Sequence, residues 1–96
     1  MSAIRILVNF AADDLTTADQ HVAQMRETCD RVSRMPGCLQ FEVFRSAVEP
    51  THYALIEHWA SQAALEAFRS ARGARPTAPA GVRLVREHYA YQPWEE

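Results

Sequence analysis

Residues 52–68 read HYALIEHWASQAALEAF, and two periodicities meet within them. From His52 to Trp59 the residues alternate. Tyr53, Leu55, Glu57 and Trp59 share one face, while Ala54, Ile56 and His58 share the other. That period of two predicts a strand. Ser61 then stands where a helix cap is expected. Ala64, Leu65, Phe68 and Ala71 form the expected inner side of the helix that follows. A strand that runs into a helix within two residues places Trp59, the bulkiest side chain, at the junction.

The same reading extends in both directions. Ile4, Ile6, Val8 and Phe10 alternate with Arg5, Leu7 and Asn9, which predicts a first strand from Ile4 to Ala11. Thr17 to Gln20 has the spacing of a capping box, and Ala18, Val22, Met25, Cys29 and Val32 then recur at helical steps. This helix of about 17 residues is expected to stop at Met35-Pro36-Gly37. A second strand spans Leu39 to Ser46, with Leu39, Phe41 and Val43 on one face and Gln40, Glu42 and Phe44 on the other. Val48 to Thr51 reads as a hairpin connection. Residues 72–81, RGARPTAPAG, read as a loop, and Val82 to Tyr91 as a fourth strand before a tail at about 92–96. The order β-α-β-β-α-β predicts an α+β, ferredoxin-like sandwich: a four-stranded antiparallel sheet with both helices on one face.

The 96 residues form one expected domain, 1–96, with a thin core. The composition, 48% hydrophobic and 23% charged, is that of a globular protein. All ten basic residues are Arg, and a net charge of −2 offers no electrostatic case for nucleic acid or anionic membrane. No apolar run approaches a membrane span, and MSAIRILVNF lacks the layout of a signal peptide, so a cytoplasmic location is expected. Cys29 and Cys38 are then expected as free thiols, with Cys29 on the packing stripe. Every strand has apolar groups on both faces: Leu7 against Val8, Phe44 against Val43, Ile56 against Leu55. One face covers the helices, and the other predicts a sheet-to-sheet homodimer to which the C-terminal aromatics contribute.

The segment MPGCLQFEVFRSAVEPTHYALIEHWASQAALEAF resembles the antibiotic biosynthesis monooxygenase family of dimeric α+β barrels. Pro36-Gly37-Cys38, Phe41-Glu42-Val43, Glu49-Pro50-Thr51 and Ile56-Glu57-His58-Trp59 with Ser61 and Leu65 carry the likeness. It implies a pocket between sheet and helices, with a small aromatic substrate and dioxygen as partners. It also implies oxidation of a phenolic, anthrone- or quinol-type polyketide with neither metal nor flavin. Such a substrate can itself reduce oxygen once deprotonated, provided the protein excludes water and stabilises the anion. The alternatives are a haem-degrading oxygenase and a non-catalytic, small-ligand-binding or stress-related domain of the same fold. In the haem-degrading branch an Asn late in the first strand and a Trp ending the third correspond to Asn9 and Trp59. The His that follows the second helix there has no counterpart in SARGARPTAPAG.

The resemblance thus implies Asn9 and Trp59 as catalytic groups on one cavity, with Leu7, Tyr53, Leu55, Phe68 and His88 as substrate contacts. His88 is also a candidate base. The bland readings are core packing for Trp59 and a structural bond or strand-end exposure for Asn9. His52 and His58 share a face but lie roughly 20 Å apart, too far for one metal. His21 reads as lying on the polar side of its helix. HxH, CxxC and HExxH do not occur, so no metal site is expected. The loop 72–81 is expected to border the pocket mouth and to be more mobile than the strands.

Overall fold

The computed structural model describes residues 3–90. Its elements are β1 (Ile4–Ala12), α1 (Leu15–Val32), β2 (Cys38–Arg45), β3 (His52–Trp59), α2 (Gln62–Arg72) and β4 (Val82–Ala90). The four strands form one antiparallel sheet in the order β2-β3-β1-β4. This is the expected ferredoxin-like arrangement, with β1 and β3 at its centre. Tyr91, Trp94 and the expected tail lie outside the described residues.

The alternation in β1 sets which face is the core. Ile4, Ile6, Val8, Phe10 and Ala12 are buried, and between them Arg5 and Asn9 are exposed while Leu7 and Ala11 are half-buried. Tyr53, Glu57 and Trp59 of β3 are buried on the same side, because Phe10 pairs with Tyr53, Ile6 with Glu57 and Ile4 with Trp59. Burying five alternate side chains of one strand demands a helical layer above them. Ala18, Val22, Cys29 and Val32 of α1 and Leu65 and Phe68 of α2 supply it. Fully burying an aliphatic or aromatic side chain stabilises by about 1.5–3 kcal/mol, so this layer outweighs any single surface contact.

Three local expectations are corrected. The cap of α1 is Asp14, whose carboxylate accepts from Thr17 N at 2.8 Å, so the helix begins at Leu15, ahead of the Thr17 box. A carboxylate there satisfies an orphan N–H and complements the helix dipole. In β2 a bulge lies between Cys38 and Gln40, so Cys38 pairs with Trp59 and Phe41 with Glu57. The extra residue reverses the alternation, and Leu39 is 58% exposed while Cys38 takes its inward place. In α2, Ala71 is exposed and Arg72 turns partly inward, one helical step beyond Phe68.

The turn after α1 depends on Gly37. Its φ is +80°, and a Cβ there would lie 2.5 Å from the Ala64 Cβ. Gly37 thus lets α2 sit down on the sheet, and its carbonyl accepts from Ala60 N at 2.8 Å. On the other face of the sheet, Leu7, Ala54 and Ile56 are half-buried beside Phe44, Val85 and Tyr89, which are 46%, 63% and 47% exposed. No helix among the described residues is long and apolar enough to cross a membrane.

Candidate active site

Between α1, α2 and the helix-side face of the sheet lies a cavity of about 310 Å³. Phe10 of β1, Phe41 of β2, Leu55 of β3 and Leu84 of β4 form its apolar floor, and Met25 and Phe68 close it from the helices. Pro76, Thr77, Ala78 and Pro79 lie along its border, as expected for the loop between α2 and β4. Two of the polar groups in the lining, His21 and Glu57, stand at different levels of the sheet.

At one level is His21. Its Nδ1 lies 2.7 Å from the Tyr53 hydroxyl. The ring sits edge-on to Phe10 at 5.0 Å, and Phe10 stacks on Tyr53 at 5.2 Å. The aromatic walls hold the imidazole in one orientation. Burial lowers the His21 pKa below its ordinary 6.5, so the neutral ring is favoured. Burial likewise raises that of Tyr53, with Arg45 acting in the opposite sense. The pair is therefore two neutral groups with one proton between them.

The other level is four residues along β3, about 13 Å away. Glu57 is 6% exposed and is the one buried charged residue among those described. Its Oε1 accepts from Trp59 Nε1 at 3.0 Å. Burial raises its pKa above 4.5, against the pull of that bond and of Arg86, Arg72 and Arg69. Arg72 and Arg86 also line the cavity. The Arg72 guanidinium lies 5.2 Å from the centre of the Phe68 ring, and its Nε is buried with no hydrogen-bond partner among the described residues. Phe68 in turn stacks on Trp59 at 4.9 Å with 22° between the planes, while Phe41 meets it edge-on at 5.7 Å.

These positions sort the expected site residues. Leu55 and Phe68 line the cavity. Tyr53 lies behind His21 and reaches the cavity through it. Trp59 is 0% exposed and stands behind Phe68 and Glu57, so it orients both without itself lining the cavity. The shared cavity of Asn9 and Trp59 is overturned. Asn9 is exposed on the far face, paired with Ala54 and Val85, whereas Trp59 pairs with Ile4 on the helix side. Leu7, of the same parity as Asn9, is corrected with it. His88 has the helix-side parity, paired with Ile6, but is exposed near the end of β4 and outside the lining. His21, expected on the polar side of α1, instead turns inward.

His21, Glu57, Arg72 and Arg86 are not among the site residues expected from the sequence. Each carried a signal. Glu57 shares the inward parity of Leu55 and Trp59, and Arg86 that of Leu84. Arg72 follows Phe68 by four residues. His21 stands beside Val22 on the buried stripe of α1, three residues after Ala18 and four before Met25.

The sequence matches the family model described as antibiotic biosynthesis monooxygenase over residues 3–79. The chain belongs to that family. Solved structures share its fold at low identity. A Bacteroides thetaiotaomicron protein described as a conserved protein of unknown function and possible oxidoreductase superposes with a TM-score of 0.76 at 16% identity, covering 94% of this chain and 98% of its own. A structure described as an antibiotic biosynthesis monooxygenase gives 0.69 at 18% identity, with 96% and 99% covered. A Mycobacterium tuberculosis protein gives 0.71 at 16%, with 99% and 98% covered. Among curated protein sequences none matches the chain. Family membership supports a monooxygenase-type function and leaves the substrate open.

The haem set implied by one branch of the family does not assemble on these residues. Asn9 faces away from the cavity, residues 73–81 contain no His, and the one imidazole lining the cavity is held by Tyr53.

Proposed function

We propose that the protein is a cofactor-independent monooxygenase that oxidises a compact anthrone- or quinol-type aromatic with dioxygen. The observation that carries this reading is the apolar cavity with the His21–Tyr53 pair at one level. A volume near the lower end of the ~300–1,000 Å³ range of ligand pockets suits a small fused-ring system. The neutral His21 accepts a proton through Nε2 when its Nδ1–H donates to the Tyr53 oxygen. A base with a depressed pKa is matched to that task near neutral pH.

An anthrone is oxidised at its methylene carbon. His21 takes one proton from the methylene carbon, and the carbanion, an electron-rich enolate, reduces dioxygen and forms a carbon–oxygen bond. The peroxide anion takes that proton back from the His21 imidazolium, and the hydroperoxide then loses the second methylene proton, which joins the departing hydroxide, as its O–O bond breaks. One oxygen atom stays as the new carbonyl and the other leaves as water. Tyr53 orients the imidazole, and the apolar walls exclude water from the carbanion. The test is oxygen uptake with anthrone and metal-stripped protein, with anthraquinone as the expected product. His21→Phe should lower the rate at least about 100-fold, in the range of a lost general base. Uptake no faster than the spontaneous reaction, for both anthrone and a quinol, overturns the reading.

The working unit is proposed to be a homodimer closed through the open sheet face, with Leu7, Phe44 and Ile56 at its centre. Its buried area is expected to exceed about 2,000 Å², as obligate interfaces do. The free thiols of Cys29 and Cys38 suit the reducing cytoplasm. Sedimentation at micromolar concentration is expected to give a dimer, and Ile56→Asp a monomer; a wild-type monomer refutes this assembly.

A further inference from the structure

The cavity around Glu57 carries more charge than the oxygen chemistry needs. Arg72 of α2 and Arg86 of β4 both line the cavity, Arg86 at the register of Leu55, two residues along the sheet from Glu57, and among the described residues Glu57 is the sole acidic one in the lining. The ion pairs among the described residues are Arg34–Asp30, Arg45–Asp19, His52–Glu49 and Arg83–Asp13, so neither cavity arginine is in one. Glu57 already directs one oxygen to Trp59. Arg72 lies over the Phe68 ring with its Nε buried and without a hydrogen-bond partner among the described residues. Guanidinium groups stay protonated in proteins, so the described lining holds two fixed positive charges against at most one negative.

We propose that the cavity takes a compact aromatic monoanion, its acidic oxygen seated at Arg72 and Arg86 and its rings against Phe41, Leu55 and Phe68. This rests on the cavity being the ligand site and not on the oxygen chemistry there. A planar guanidinium suits a carboxylate or enolate oxygen, and that of Arg72 is held over the Phe68 ring. The rings then extend along β3 toward His21, about 13 Å from the Glu57 level, which places the ligand's neutral end at the base. Glu57 acts as a counter-charge. It keeps the two arginines tolerable in the empty cavity and disfavours a second negative charge on the ligand.

The test uses naphthoate and its neutral isostere naphthamide, measured by calorimetry without oxygen. Naphthoate is expected to bind at least about tenfold more tightly, as loss of a charged hydrogen-bond partner implies. Arg72→Met and, independently, Arg86→Met should each remove most of that preference while leaving naphthamide binding within about twofold. Glu57→Gln keeps an acceptor for Trp59 and should tighten naphthoate severalfold without affecting naphthamide, an outcome that a purely structural Glu57 does not produce. Equal binding of the two probes, tighter binding of the amide, or no naphthoate binding at millimolar concentration overturns the proposal. If either arginine variant fails to fold, the wild-type ratio and the Glu57→Gln arm decide. Neither probe has a methylene to oxidise. Selective naphthoate binding with no anthrone oxidation would therefore leave this inference standing and remove the oxygenase reading; the reverse result would do the opposite.

Discussion

Replacing Trp59 by Phe separates the two things that side chain does. Its ring is fully buried against Phe68, and its N–H reaches Glu57 at 3.0 Å. A hydrogen bond to a charged group contributes about 1.5–3 kcal/mol. The indole exceeds a phenyl ring by about 40 Å³, and at ~24 cal/mol per Å³ of residual cavity the void costs about 1 kcal/mol. Trp59→Phe should therefore destabilise by about 2.5–4 kcal/mol, and Tm should fall by at least about 10 °C in a domain of this size. Urea unfolding at fixed protomer concentration measures it. A cycle with Glu57→Gln isolates the bond. With a neutral acceptor it contributes only about 0.5–1.5 kcal/mol, so Trp59→Phe should cost about 1 kcal/mol less in that background. The reasoning is refuted if Trp59→Phe costs under about 1 kcal/mol, or if its cost is the same with Glu and with Gln at the acceptor.

Glu57→Gln should itself shift the pH dependence of stability. Burial raises the folded pKa of Glu57 above 4.5, so its favourable contribution is present below that value and is lost as pH rises through the folded pKa. The stability of Glu57→Gln relative to wild type should thus increase between about pH 4 and pH 8 in chemical denaturation; a decrease contradicts it. Gly37→Ala combines a φ of +80° with a Cβ 2.5 Å from that of Ala64. About 2–4 kcal/mol of destabilisation by urea unfolding is expected, and a neutral substitution would show that α2 does not sit where described. Asn9→Ala should leave anthrone oxidation per dimer within about twofold of wild type, since Asn9 lies across the sheet from the cavity. A loss beyond tenfold with the dimer intact would place Asn9 in the chemistry.

The alternation in β1 and β3, the helical stripe of α1 and the Ser61 cap were legible because each depends on neighbours within a few residues. That locality determined the element order and hence the sandwich. It also placed Asn9 opposite Ile6, Val8 and Phe10; the contrary site assignment came from resemblance, and the pairing of Asn9 with Ala54 and Val85 restores the strand's own parity. Other features arise from contacts far apart in the chain. The bulge at Cys38–Gln40 exposes Leu39 through the register of β2 against β3. His21 meets Tyr53 across 32 residues because α1 crosses the sheet at Phe10. Glu57, Arg72 and Arg86 come from β3, α2 and β4, and no spacing rule relates them. Periodicity states which way a side chain points from its own backbone. Which other side chains it meets there is set by how the helices pack on the sheet, and the charge of this cavity is decided at that level.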